Sequence, residues 1–510
     1  MYLYDVLILS LCLLWLAAPA AADETGAVGP LRAGVAKSDI TTDAEGVRVN
    51  DPLYAKALVL DDGETKLAII AMDVTAIGGI GDVGDDFLPA LRSRLESELG
   101  IPGRHVLVNA SHNHPPGPLL CDDAAQVDRT FDAVRRAQES MTPVRAGAGV
   151  GHEDRISMNR TLRLKNGKAW TIRHTNPCPP DDEVAGVGPI DPEIGILRID
   201  RMDGRPLAVV YNFACHPYIT VPRGGITADF PGFASAVIEE NLGHGAMALF
   251  LQGAAGDITE VLYKDVHRPR DSAPLGRMLG LSTLRALRGI QTKDAKLHVI
   301  SEALELPRKT DFEERIAELE AEQAALLKSL RGTSLNFKTF LPLYIQYTLD
   351  PDHPAYYSYR YLQSEKMGTD ELSAIDAQNR GHIAKYLRNI RAMEKLARIQ
   401  DKIATLRRHQ AINAEAGEPA ISTEVQGIKI GDFVLITSPA EVGVEVGLNV
   451  KQASPHECTF MAAFSNGYIH YGPPASEYSK GGYEVTECLL APAWQAIYEK
   501  KANEILRALR

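Results

Sequence analysis

Residues 105–118 read HVLVNASHNHPPGP. Val106 to Ala110 is an apolar run broken only by Asn109, the pattern of a short strand buried on both faces. His112 and His114 follow at its end, and in extended backbone both point to one face. Pro115, Pro116 and Pro118 stop the strand and open a loop. The same layout returns three times, as LAVVYNFACHP at 207–217, ALFLQGAAGDITE at 248–260 and FVLITSPAE at 433–441. Apolar strands that end in polar residues argue for a central sheet.

Working outward, strands are expected at Ala57–Leu60, Leu67–Met72, His105–Ala110, Ile194–Ile199, Leu207–Phe213 and Ala246–Leu251. Helices are expected at Asp86–Leu99, Thr130–Met141, Pro231–Asn241 and Leu275–Arg288. The class is therefore α/β, a mixed β-sheet core flanked by helices. Near Thr310 the character changes. Asp311–Arg331 and Asp370–Gln410 carry apolar residues close to helical spacing among Glu, Lys, Arg and Ala, which predicts an antiparallel helical hairpin inserted at 310–415. Between them, Tyr344 to Tyr361 includes Tyr356, Tyr357 and Tyr359. These tyrosines either pack the hairpin tip onto the main body or form a lid over substrate. After Glu418 the β pattern resumes, with Glu424–Ile430 and Phe433–Thr437 joined around Gly431-Asp432. A helix at Val442–Ala453, a strand at Cys458–Phe464 and a terminal helix from Ala491 complete the chain. This favours one interrupted catalytic domain at 31–490 with a C-terminal helix at 491–510.

The 510 residues include 54 Lys+Arg and 66 Asp+Glu, so the formal charge is 54 − 66 = −12. That balance offers no electrostatic footprint for nucleic acid. With 45% hydrophobic and 24% charged residues, wholesale disorder is excluded. Residues 6–18, VLILSLCLLWLAA, precede Pro19-Ala20-Ala21-Ala22 and read as a secretory signal spanning 1–22, although Met1 to Asp5 holds no Lys or Arg. An uncleaved anchor is the alternative, and the expected location is secreted or periplasmic. Cys121, Cys178, Cys215, Cys458 and Cys488 remain, an odd number without CxxC spacing. A Cys458–Cys488 bridge is one expectation, and buried small hydrophobes the other.

Each polar segment has two readings. His112 and His114 form a metal half-site or two hydrogen-bonded surface histidines. His216, at the end of its apolar strand, is a ligand or a satisfied core histidine. Asp229 reads as a helix N-cap. Gly253 to Gly256 either let backbone amides approach a ligand or make a tight turn. Glu441 is a ligand or an acid in a first helical turn. Tyr471 alone reads as core.

Taken in order, these segments resemble the catalytic domain of the neutral ceramidases, zinc-dependent amidases that release a fatty acid from ceramide. Gly34 to Thr41 looks like that family's opening strand. Ser111-His112-Asn113-His114 with Gly117-Pro118 is similar to its Thr-His-Thr-His-x-Gly-Pro-Gly. Asn159-Arg160-Thr161 resembles Asn-Arg-Ser, Phe213 to Pro217 resembles Phe-Ala-x-His-Pro, and Gly256 to Thr259 resembles Gly-Asp-Val-Ser. Pro439-Ala440-Glu441 resembles Pro-Gly-Glu, and Asn466 to Tyr471 resembles Asn-x-Tyr-x-x-Tyr. The resemblance implies a Zn²⁺ ion held by His112, His216, Glu441 and Tyr471, with His114 and Arg160 beside the reacting group. The family's active-site serine falls on Thr259, and its following Pro-Asn is Glu260-Val261 here. The matches end near residue 490, and no counterpart of the C-terminal immunoglobulin-like domain of the large ceramidases is expected within these 510 residues.

Such a ligand set with one open position suits zinc and a water nucleophile. Arg160 and His114 then serve an amide's developing oxyanion, His114 is first choice to protonate the departing amine, and Thr259 can hydrogen-bond the scissile group. The expected activity is hydrolysis of an N-acyl amide in a small-molecule or lipid substrate, with no nucleic acid partner and with room for peripheral membrane contact. Two alternatives stay open. One is a related metal hydrolase of another amide, an ester or a carbohydrate-derived compound. The other is a non-catalytic metal-binding protein.

Overall fold

The structure, a computed structural model, describes residues 30–509 apart from 116, 118, 174–177, 263–269 and 355–358. The signal segment at 1–22, Tyr356 and Tyr357 lie outside the described residues. Eight strands form the larger sheet: β1 (Arg32–Asp39), β2 (Tyr54–Asp61), β3 (Lys66–Met72), β4 (Val106–Ala110), β5 (Thr142–His152), β6 (Glu193–Arg201), β7 (Pro206–Phe213) and β8 (Met247–Gln252). Their spatial order is β8-β7-β6-β5-β1-β2-β3-β4. The end pairs β7/β8 and β3/β4 are parallel and the rest antiparallel. A second sheet pairs β9 (Leu297–Pro307), β10 (Ala420–Ile430), β11 (Phe433–Thr437) and β12 (Thr459–Ala462) in that order, with β11/β12 parallel.

The strand expectations at 57–60, 67–72, 105–110, 194–199, 207–213 and 246–251 fall on β2, β3, β4, β6, β7 and β8. The mixed α/β class holds. The single central sheet does not: two sheets pack face to face. Leu58, Ile69, Leu107, Leu197, Val210 and Leu249 of the larger sheet meet Ile428, Phe433, Leu435 and Phe460 of the smaller in one buried cluster. An unbroken apolar run says that both faces are covered but not by what. Two strands of these sheets escaped notice: β5 is rich in Gly and Ala, which carry little β signal, and β9 holds two acids, Glu302 and Glu305.

Helices cover the outer faces. α1 (Phe87–Leu99), α2 (Asp123–Glu139), α3 (Asp229–Leu242) and α4 (Ala273–Leu287) lie on the larger sheet. α2 starts seven residues before the expected Thr130, because Asp122 caps it by accepting from the Ala125 N–H at 2.8 Å. α9 (Val444–Ala453) and α11 (Trp494–Ala508) back the smaller sheet, where Trp494 Nε1 donates to Pro473 O and the Tyr498 hydroxyl to Thr437 O.

β9 and β10 pair along their whole length, from Leu297↔Ile430 to Pro307↔Ala420. From the Pro307 end emerge α5 (Phe312–Ser329), α6 (Phe337–Leu349), α7 (Tyr359–Met367) and α8 (Glu371–Ala416). The 46 residues of α8 span about 70 Å. α5 runs antiparallel to α8, joined by Glu320–Arg407 and Gln323–Gln400 contacts and a small core of Phe312, Ile316, Ile399, Ile403 and Leu406. The aromatic contacts described in the intervening segment lie within this hairpin. Phe340 stacks on Tyr386, and the Tyr347 hydroxyl donates to Asp376. Phe340, Tyr347 and Tyr386 thus pack within the hairpin itself.

The described cysteines are free, so the expected Cys458–Cys488 bridge is absent. Cys488 packs in the core outside the sheets, with its sulfur 3.2 Å from the Tyr478 hydroxyl. Cys458 sits against the inter-sheet cluster instead.

Gly195 on β6 sets the sheet spacing, since a Cβ there would lie 2.3 Å from the Phe460 ring. Gly195→Val is expected to destabilise the fold by about 1–3 kcal/mol or more through overpacking, read as a lower denaturant midpoint.

Candidate metal centre and active site

The polar segments leave the same end of the sandwich. They follow β4, β7 and β8 in one sheet and β11 and β12 in the other. Three buried amides tie these strand ends together. Asn109 accepts from the Gln252 N–H at 2.8 Å and donates to Ala463 O at 2.6 Å. Asn212 donates to Leu251 O and Met461 O, linking the two sheets. The Gln252 carboxamide donates to Ser111 O at 2.9 Å and Cys215 O at 2.8 Å, and its oxygen accepts from the Cys215 N–H. The residues just before His112 and His216 are thus held by one side chain.

His112 takes a left-handed backbone, φ 64°, unusual for a residue with a Cβ. Its N–H donates to Val74 O, and its Nδ1 lies 2.6 Å from Thr75 O. His216 Nδ1 lies 2.9 Å from Ile258 O. Carbonyl partners force both Nδ1 atoms to carry hydrogen, which leaves both Nε2 lone pairs free. These lone pairs meet Glu441: its Oε2 is 3.3 Å from His112 Nε2 and 3.1 Å from His216 Nε2. His114 Nε2 stands 3.0 Å from His112 Nε2. The ring of Tyr218 stacks on both His114 and His216.

The electrostatics favour a cation. Burial, and then the Arg160 charge, push His216 down to about 3. Burial and the neighbouring imidazoles also hold His114 well below its usual range. Burial opposes ionisation of Glu441, yet His112 and His216 keep its carboxyl well below the carboxylate range. Neutral imidazole nitrogens and an ionised carboxylate, all buried and converging, are donors that fit a divalent ion of the zinc class.

Glu441 arrives on a short strand, Glu441–Val442, paired in parallel with Tyr471–Gly472, so Glu441 and Tyr471 are direct neighbours. Gly256 passes so close that a Cβ there would be 2.5 Å from Glu441 O. The loop packs its backbone against that of Glu441 and leads into the short strand Ile258–Glu260, so it is not a strand-to-helix turn. Tyr471 does not hydrogen-bond Glu441. Its hydroxyl accepts from Arg160 Nη2 at 3.0 Å, and the phenol that donates to Glu441 Oε1 is Tyr468. Burial and the Glu441 charge raise both phenols well above their ordinary value.

Arg160 is 1% exposed and held by three partners: Glu484 at 3.0 Å, Gly256 O at 2.7 Å and Tyr471. Glu484, on the one-turn helix α10 (Tyr483–Thr486), also accepts from Thr161 and Thr171. Thr259 is bridged through its backbone to His216, and its hydroxyl donates to Glu260 at 3.2 Å. Glu260 accepts the N–H groups of Tyr218 and Ile219, closing the turn after His216. Burial, and then Asp229, raise its carboxyl. Asp229 is the first residue of α3 and not its N-cap, which is Ala228; its carboxylate accepts the N–H groups of Thr220 and Phe230.

Sequence reasoning brought His112, His114, His216, Glu441, Tyr471, Arg160 and Thr259 into this one region. It passed over Tyr468, Glu484, Tyr218 and the bracing role of Gln252. Tyr468 was visible as the first tyrosine of the Asn466–Tyr471 segment, and Glu260 as a departure from the family pattern.

Fold and site together define a mixed α/β protein with a buried histidine–carboxylate centre at one end of a two-sheet core. No family model matches the chain. Neutral ceramidase of Pseudomonas aeruginosa is 22% identical over 563 aligned positions, covering 99% of this chain and 76% of that protein. The crystal structure of neutral ceramidase from Pseudomonas aeruginosa superposes with a TM-score of 0.60 at 18% identity, over 94% of this chain and 74% of that one. A ceramidase complexed with C2 gives 0.59 at 18%, over 94% and 75%. The structural likeness shows a common fold, and the chain-wide sequence match supports the neutral ceramidase family for this chain.

Gln252→Ala leaves two buried carbonyls without a donor, at about 1–3 kcal/mol each. The expected outcome is a lower unfolding midpoint together with a metal affinity weakened about 10–100-fold, the second effect measured by competition with a chelator.

Proposed function

We propose that this chain is a zinc-dependent hydrolase of neutral ceramidase type, cleaving the N-acyl amide of a ceramide-like lipid. The observation that carries the reading is the convergence of the His112 and His216 Nε2 lone pairs on Glu441, with Arg160 and His114 beside them. His112, His216 and Glu441 would hold the ion, and Tyr471 is the fourth ligand by family resemblance. A bound divalent ion supplies Lewis acidity, which makes water a competent nucleophile near neutral pH.

The remaining work falls to the chain. Arg160, fixed by Glu484, the Gly256 carbonyl and the Tyr471 hydroxyl, presents a permanent positive charge toward the carbonyl oxygen under attack. His114 Nε2 takes the proton from the attacking water and delivers it to the departing amine. Thr259, engaged with Glu260, supports the His216 turn and is not a nucleophile in this scheme. The Tyr218 ring lies flat against His114 and His216 and forms one wall beside the reacting group.

His216→Ala is expected to abolish metal binding at this centre and amide hydrolysis while preserving the circular dichroism of the fold. Full turnover of an N-acylsphingosine by this variant refutes the reading. A panel that adds esters and glycosyl substrates tests the amide preference.

The same reading includes export from the cytoplasm, on the apolar run at 6–18, and peripheral contact with lipid. Among the described residues no helix is long and apolar enough to cross a membrane. The tip of the hairpin nevertheless exposes Phe337, Leu341, Ile345 and Leu349 along one side of α6. A lipid surface is where such a substrate resides, and an apolar helix face can seat in its headgroup layer. Leu341→Glu with Ile345→Glu is expected to reduce co-sedimentation with phosphatidylcholine vesicles several-fold and leave hydrolysis of a soluble short-chain amide unchanged. Undiminished co-sedimentation removes the membrane role.

A further inference from the structure

A second set of metal-ligating groups lies outside the centre just described. His409 comes from α8 of the helical insertion, His470 from the loop between Tyr468 and Tyr471, and Glu487 from the residue after Thr486 of α10. One donor atom from each lies within 4.8 Å of the others. His409 and His470 meet edge to face with ring centroids 4.8 Å apart, and His409 Nε2 is 3.1 Å from Glu487 Oε2.

His409 is the anomaly. It is fully buried, yet neither Nδ1 nor Nε2 makes a hydrogen bond. The approach to Glu487 is close but lacks hydrogen-bonding geometry. An imidazole always carries a donor or a lone pair on each nitrogen, and a buried one without partners is costly. His470 is held in place independently. Its backbone is left-handed, φ 61°, its carbonyl accepts the Glu441 N–H at 3.0 Å, and it bridges to Cys488. Glu487 accepts from Arg408 at 2.9 Å and Thr405 at 3.3 Å. A carboxylate has about four lone-pair positions, so these contacts leave capacity for another partner.

We infer that His409, His470 and Glu487 form a second binding site for a divalent cation of the zinc class, which clasps the helical insertion to the loop carrying Tyr468 and Tyr471. Two imidazoles and one carboxylate are a borderline donor set suited to that class, with one position left for solvent. A cavity of about 470 Å³ borders the cluster at Glu487, with Thr405 and Tyr483 also in its lining. Because the His470 carbonyl holds the Glu441 backbone, an ion here stiffens the first centre from behind. The site stands on its own geometry and does not require the first centre to hold metal.

The test is metal stoichiometry of the full chain, measured by elemental analysis after dialysis against Zn²⁺. The wild-type chain is expected to retain two equivalents, and His409→Ala and Glu487→Gln one each. His216→Ala is expected to retain one as well, and Zn²⁺ added to it should still raise its Tm, since only the second site remains. Should His409→Ala fail to fold, Glu487→Gln and the Tm shift in the His216→Ala background decide the matter. Stoichiometry unchanged in the folded variants at 409 and 487, or no Tm response in His216→Ala, overturns the second site. Loss of metal in the 409 and 487 variants with none lost in His216→Ala upholds this site and sinks the proposed catalytic centre instead.

Discussion

One buried carboxamide governs the geometry of this molecule. Gln252 stands at the end of β8 and holds the carbonyls of Ser111 and Cys215, the residues that precede His112 and His216. Asn109 and Asn212 extend the arrangement to the second sheet through Ala463 O and Met461 O. Amide groups suit this work because each donates twice and accepts twice without carrying charge. They replace the sheet hydrogen bonds that strands lose where they end, and they do so where no water can. Histidines from β4 and β7 therefore meet a glutamate that arrives from the opposite sheet.

Around that frame the charges are arranged for asymmetry. Burial pushes His216 and His114 toward the neutral form, while Glu441 is held ionised beside His112 and His216. Close by, Arg160 keeps its full charge in an equally dry setting because Glu484, a carbonyl and a phenol surround it. A buried ion pair contributes little net stability against its desolvation, so its value here is placement. Left-handed residues gather in the same loops: His112, Phe464, Asn466 and His470 have φ between 54° and 65°. Such strain persists only where surrounding structure enforces it, as the amide frame does here.

The helical insertion is joined to this machinery rather than hung beside it. It grows from two fully paired strands at Pro307 and Ala420, returns through a helix of 46 residues, and touches the Tyr468–Tyr471 loop through His409. Its far tip carries exposed apolar side chains and its base carries a buried histidine without hydrogen bonds. One element thus links the region best suited to a lipid surface with the strand that presents Glu441.

Strand ends and breaks were legible in the chain by itself. Apolar runs closing on His112, His216 and Glu441 announced where chemistry sits, and the long periodic stretches announced the hairpin, because both are local patterns of burial. Local patterns cannot say which face meets which. The second sheet stayed hidden because an apolar run looks the same under a helix or under another sheet. Gln252, Tyr468, Glu484 and His409 stayed hidden because their roles depend on partners up to hundreds of residues away. Only the folded chain decided that Tyr468 contacts Glu441 while Tyr471 contacts Arg160, since a phenol's partner is set by packing across the two sheets and not by its place in the sequence.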